Sequence, residues 1–140
     1  MHRVLRPGPR PFIAIGILFG VITLLLLGVA LAHGRGLQMF EGIVAVPLLY
    51  AVLAAGALRA RIVISDDALA WRPPFGLLEQ SVALSRITVS VASVLAEPEH
   101  PVMLEIFAGG RVPALTLRLK LFRQNDVAWL ISLPQLKVDR

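Results

Sequence analysis

The stretch Phe12-Ile-Ala-Ile-Gly-Ile-Leu-Phe-Gly-Val-Ile-Thr-Leu-Leu-Leu-Leu-Gly-Val-Ala-Leu-Ala32 decides the architecture. It carries no charge, and Thr23 is its only polar side chain. As a helix it is about 31 Å long, close to a hydrocarbon core of about 30 Å. A second apolar run, Gly42 to Leu58, follows after the loop around His33–Glu41. It sits at the short end of the spanning range and holds Pro47, which a neighbouring helix can help accommodate. The expectation is a transmembrane helix over 12–33, an external loop over 34–40 and a second transmembrane helix over 41–58. Glu41 then reads as an interfacial carboxylate reaching water.

Composition agrees with that division. Of 140 residues, 56 % are hydrophobic, and the mean hydropathy is +0.75. Residues 1–60 hold five arginines against one glutamate, a net +4, whereas residues 61–140 hold nine basic and eight acidic side chains, a net +1. The basic character therefore belongs to the membrane part and its flanks, and a nucleic-acid interface is not expected. Arg3, Arg6 and Arg10 precede the first span, Arg59 and Arg61 follow the second, and only Arg35 lies between. By the positive-inside rule both termini face the cytoplasm, making residues 1–11 a basic cytoplasmic N-terminus and the chain a multi-pass protein of the inner membrane. The same five arginines are candidate contacts for anionic lipid, each worth about 1 kcal/mol, although setting topology suffices to explain them. The rival reading is a secretory signal cut after Ala30-Leu31-Ala32, but the apolar run is longer than a signal core of about 7–15 residues.

Gly16 and Gly20 form a GxxxG, and Ala51 and Ala55 a second pair of small residues four apart. Such spacing allows close helix approach, either between the two spans of one chain or in a homo-oligomer.

After Arg61 the pattern changes to a period of two. Strands are expected at about 61–65, 68–72, 77–84, 86–92, 102–107 and 114–121, with Ile87, Val89 and Val91 sharing one face and Arg86, Thr88 and Ser90 the other. Asp66-Asp67 reads as a tight turn, Glu97-Pro98-Glu99-His100-Pro101 as a loop and Gly109-Gly110 as a hairpin turn. A helix over about 125–133 is expected, N-capped by Asn125 or Asp126, with Val127, Leu130 and Ile131 buried. Six strands closed by one helix imply a bent antiparallel sheet or open barrel capped by a C-terminal helix. The fold class is thus a membrane α-helical hairpin plus a small, mainly-β domain over 61–140.

Three passages carry a resemblance to a known family: Ile62-Val63-Ile64-Ser65-Asp66-Asp67-Ala68-Leu69, Val82-Ala83-Leu84-Ser85-Arg86-Ile87, and Leu121-Phe122-Arg123-Gln124-Asn125-Asp126 leading into Leu130-Ile131. In these the segment resembles the pleckstrin-homology-like domain of small bacterial membrane proteins, in which a two-span hairpin precedes the domain. That fold usually has seven strands against the six read here. Its phosphoinositide-binding members carry a basic first hairpin loop where this chain has Asp66-Asp67, so the resemblance does not bring a phosphoinositide role with it.

Reactive chemistry is sparse. The chain has no cysteine, and His2, His33 and His100 are scattered without partners at metal-ligand spacing. There is no P-loop, GxGxxG or GxSxG. No catalytic residue, cofactor or metal is expected. Trp71, Arg72 and Phe75, around Pro73-Pro74, are a candidate interaction loop that either dips into the membrane interface or holds a partner, with aromatics folded back on the core as the simpler expectation. Arg118 and Lys120 line the wet face of a strand with Thr116, either as a surface for an acidic partner or, more simply, as an ordinary solvated face. The expected role is a non-enzymatic adaptor with a protein partner of unidentified kind. The competing expectations are a self-associating structural or stress-related membrane protein, and a lipid or small-ligand binder using the barrel mouth.

Overall fold

The computed structural model describes residues 2–95 and 100–139. The chain divides into two compact units, one of residues 9–56 and one that combines residues 1–8 with residues 57–140.

The first unit is a pair of antiparallel helices, α1 (Arg10–Ala32) and α2 (Gly36–Leu58). Both are long and apolar enough to cross a membrane, and none of the most apolar stretch of either is buried within the protein. A core helix of a water-soluble domain hides its Leu and Ile; these helices leave theirs bare, as a hydrocarbon solvent allows. The Thr23 hydroxyl is satisfied within the helix, donating to Phe19 O at 2.8 Å. The connection is shorter than the expected 34–40 loop, and α2 starts five residues before position 41. The reason is local. Gly34 takes φ +62°, Gly34 N–H donates to Leu31 O and Arg35 N–H to Ala30 O, which is the Schellman ending of a helix. Arg35 O then accepts from the amides of Gln38 and Met39, so the second helix begins at once. Glu41 consequently lies inside α2 and is exposed.

The second unit contains two four-stranded sheets among the described residues. The first has the order β1-β2-β3-β4, all antiparallel, from β1 (Arg3–Leu5), β2 (Arg61–Ile64), β3 (Ala68–Arg72) and β4 (Gln80–Ala83). The second has the order β7-β6-β5-β8, from β5 (Val89–Leu95), β6 (His100–Phe107), β7 (Leu115–Arg118) and β8 (Val138–Asp139). Helix α3 (Gln124–Ile131) packs Val127 and Leu130 into the core they share. That core is filled by large side chains, Ile62, Leu69, Leu104, Ile106, Leu117 and Leu130 among them, each under 2 % exposed.

Several boundaries differ from those read in the sequence. The N-terminus is not a simple tail: Arg3, Val4 and Leu5 pair with Ile64, Val63 and Ile62. A three-residue strand is too short to show a period, and its arginines read as topology signals. Ser65 O–H and N–H both engage Ala68 O, closing the β2–β3 turn. Residues Leu77 and Leu78 precede β4 in a loop, and Leu84–Arg86 form a 3-10 turn held by Leu84 N–H to Asp67 O. That turn resets the phase of β5. Ser90, expected on the wet face, is fully buried, and Val91, expected on the buried face, is exposed. Ser90 Oγ donates to Leu136 O at 2.6 Å and its amide to Lys137 O at 3.2 Å, so the inward polar group is paired. Its partner segment is β8, parallel to β5 and only two residues long, which left no pattern in the sequence. Helix α3 is capped by Arg123, without a side-chain bond, and Asn125 and Asp126 lie inside its first turn. Glu97, Pro98 and Glu99 lie outside the described residues.

Leu5 is buried and Val4 exposed on the same short strand. Leu5→Ala is therefore expected to destabilise the β domain by about 2–4 kcal/mol, and Val4→Ala by less than about 0.5 kcal/mol. Thermal unfolding of the full chain in mild detergent, followed by tryptophan fluorescence, measures both; equal effects would mean that β1 is not docked.

Candidate functional site

The strand registers bring several of the singled-out residues to one end of the first sheet. Leu5 pairs with Ile62, Arg61 with Arg72, and Trp71 with Gln80. At this end the chain leaves the sheet toward α1 and re-enters it from α2. The β3–β4 loop, residues 73–79, projects from the same end. The opposite end carries the Ser65–Asp67 turn, Ala83 and the 3-10 turn that contacts Asp67.

The loop is anchored at its base and closed by a turn. Its base is braced across strands: Glu79 Oε2 accepts from Arg61 Nε at 2.9 Å and Arg61 Nη2 at 2.6 Å, with Arg72 Nη2 at 3.9 Å. Being partly exposed, these pairs contribute at most about 1 kcal/mol each and serve mainly to fix geometry. Arg72 Nε is buried without a hydrogen-bond partner among the described residues. Gly76 N–H donates to Pro73 O at 3.0 Å, closing a turn with Pro74 and Phe75 at its centre. Phe75 adopts φ +60°, a conformation that costs an L-residue with a Cβ about 1–2 kcal/mol. Gly76 is obligatory, because a Cβ there would stand 2.5 Å from Pro73 Cγ.

The tryptophan and the phenylalanine of this passage part company. Trp71 is buried in β3 and its ring lies 5.9 Å from that of Phe122, so it is a core residue and unavailable for an interface. Phe75 is 56 % exposed, followed by Leu77 at 81 % and Leu78 at 80 %. Sequence reading stopped at Phe75 and assigned Leu77 and Leu78 to a strand over 77–84, whereas the ladder starts only at Gln80.

The five basic residues also divide. Arg3 is engaged within the domain: Nη2 lies 3.1 Å from Asp126 Oδ1, and its guanidinium sits 4.1 Å above the Trp129 ring. A cation over an indole is worth about 0.5–1 kcal/mol at such a site. With the Pro7–Phe122 bridge and Gly8 N–H donating to Leu121 O at 2.7 Å, it fastens the N-terminal segment to the start and first turn of α3. Arg61 is held by Glu79. Arg6, Arg10 and Arg59 are exposed and make no ion pair among the described residues. Arg118 and Lys120 are also exposed.

Within the helical pair, Gly16 faces Tyr50. A Cβ on Gly16 would stand 2.9 Å from Tyr50 Oη, which donates to Phe12 O at 2.7 Å, and the Phe19 and Tyr50 rings are 5.6 Å apart. Gly16 thus admits the tyrosine of the neighbouring span. Gly20 has nothing within 4 Å, and Ala51 and Ala55 are exposed. The GxxxG is therefore split, half of it consumed inside one chain.

A cleft of about 70 Å³ lies at the far end of the first sheet, lined by Ile64, Ser65, Asp66, Leu84, Leu133 and Leu136. Its volume suits only a few water-sized molecules, whereas ligand sites usually occupy about 300–1,000 Å³. Among the described residues no three His, Asp or Glu side chains converge on a metal-sized space.

Gly16→Ile is expected to lower the thermal stability of the helical pair by about 1–3 kcal/mol through overpacking against Tyr50, while Gly20→Ile leaves the monomer unchanged. Melting of the two variants in detergent distinguishes them, and the reverse ranking would place the close approach elsewhere. Comparison of the chain with family models, curated proteins and solved structures finds no match.

Proposed function

We propose that this chain is a membrane-anchored, non-enzymatic interaction module, presenting a pleckstrin-homology-like domain at the cytoplasmic face of the inner membrane. The observation that carries the reading is the pairing of Arg3–Leu5 with Ile62–Ile64. Both outer ends of the helical pair are thereby held in one folded domain, which supports a reading of two crossings with both ends on the same side. The exposed apolar faces of α1 and α2 support lipid as their surroundings. The excess of arginine at those two ends over the single Arg35 in the connecting turn supports the cytoplasmic side.

The likeness to the pleckstrin-homology fold rests on element order. A four-stranded antiparallel meander is followed by a second, three-stranded meander and then a helix packed on the shared core. β1, from before the hairpin, supports the likeness by bringing the strands of the two meanders to seven. The interior is filled by side chains, so an interaction role falls to the surface: to loops, or to β4, which ends its sheet with Gln80 and Ser81 exposed. An edge strand of this kind can accept an extended segment of another protein. Tethering at the membrane raises the local concentration of partners that are also membrane-bound.

Two measurements test this reading. A reporter fused after Arg140 is expected to be active in the cytoplasm, and chain extracted from membranes is expected to retain residues 2–32; an exported reporter or a mature N-terminus at His33 overturns it. Co-purification in mild detergent is expected to recover a second protein, and recovery of this chain alone would remove the adaptor role.

A further inference from the structure

The β3–β4 loop combines three properties that the anchor and the core leave unexplained. It exposes three large apolar side chains in four residues, Phe75, Leu77 and Leu78. It holds Phe75 in a left-handed conformation at the centre of a proline-bounded turn, where glycine or asparagine is the ordinary occupant. And it projects from the sheet end at which Leu5 leads toward α1 and Arg61 follows α2. An exposed, strained aromatic that the surrounding structure actively maintains is a mark of a working surface.

From these we propose that the loop is a membrane foot: Phe75, Leu77 and Leu78 insert into the interfacial layer of the bilayer that α1 and α2 cross, giving the β domain a third point of attachment. The occupant is lipid, because on the two-span reading short linkers tether this end of the sheet to the ends of both helices. Only Arg6–Pro9 separate β1 from the first residue of α1, and only Arg59–Ala60 separate α2 from β2. The brace of Arg61 and Arg72 on Glu79 confines charge to the loop base, and the tip itself carries none. Arg6 and Arg59, exposed next to the ends of β1 and β2 from which the linkers depart, suit a surface of anionic headgroups. By contrast, the other strongly exposed apolar side chain of the domain, Val112 at 77 %, lies in the β6–β7 hairpin beyond Phe107. Phe107 adjoins Thr88, which follows the 3-10 turn at the far end of the first sheet. Val112 is therefore the matched control. The proposal rests on the two-span reading, and it adds a fixed attitude of the domain toward the membrane.

The chain has no cysteine, so single substitutions can each carry one environment-sensitive fluorophore. Leu77→Cys, Leu78→Cys, Val112→Cys and Leu25→Cys, all at exposed positions, are labelled in the full chain and placed one copy per nanodisc of phosphatidylcholine and phosphatidylglycerol. Quenching by lipids carrying a nitroxide near the headgroup or deep in the acyl chain reads the depth. The expected result is at least threefold stronger quenching at 77 and 78 than at 112 by the shallow quencher, with 25 quenched chiefly by the deep one. Quenching at 25 but not at 77 or 78 overturns the foot alone. Absence of quenching at 25 overturns the spanning hairpin itself. Protection of 77 and 78 that develops only when a second copy or another protein is added also overturns the foot and makes the loop a protein contact.

Discussion

The hydrogen-bonded ladder between Arg3–Leu5 and Arg61–Ile64 is the constraint on which the arrangement depends. Between its two strands lie residues 6–60, including the whole apolar helical pair. Because neighbouring strands stand about 4.8 Å apart, the ladder ties the entry and the exit of the hairpin to one rigid support. Pro7 and Gly8 extend the tie to Leu121 and Phe122, and Arg3 reaches Asp126 and Trp129 on α3. Gly8 has little freedom there, since a Cβ would meet Arg123 Cγ at 3.0 Å. The N-terminal segment is thus a structural member of a domain whose remaining strands all follow the second helix.

Much of this was legible in the residues, and what was not has physical causes. The spans announce themselves through unbroken apolar length, a signal that needs no partner. The alternation of Ile62, Ile64, Leu69 and Trp71, and of Leu115 and Leu117, likewise marks one buried face, because each strand is long enough for two or more inward positions. β1 and β8 escape because two or three residues cannot display a period and owe their form to a distant partner. The β5 register was misread for a related reason. One turn of 3-10 helix at Leu84–Arg86 shifts the alternation, and a buried serine hydrogen-bonded to Leu136 O occupies a place where an aliphatic residue was the natural expectation.

The passage from Trp71 to Phe75 drew notice through its aromatics and prolines. A side chain's direction, though, is set by the ladder: Trp71, opposite Gln80, points into the core, and only the residues beyond Arg72 escape it. Leu77 and Leu78 look like strand residues until the ladder is seen to begin at Gln80. Arginines were similarly read as one class, although Arg3 and Arg61 serve the fold through Asp126 and Glu79 while Arg6, Arg10 and Arg59 remain exposed.

The split of the first sheet around the hairpin has a consequence for biogenesis. β1 leaves the ribosome first, yet its neighbour is synthesised only after both helices, and the gap closes cheaply only when those helices have already folded back on each other. Loop-closure entropy then falls from that of a long floppy chain to that of a short one. A nascent chain whose helices miss the lipid leaves β2 with an open edge, the kind of surface that invites aggregation and degradation. If α1 and α2 cross a membrane, completion of this sheet is coupled to the folding back of the hairpin between its first two strands.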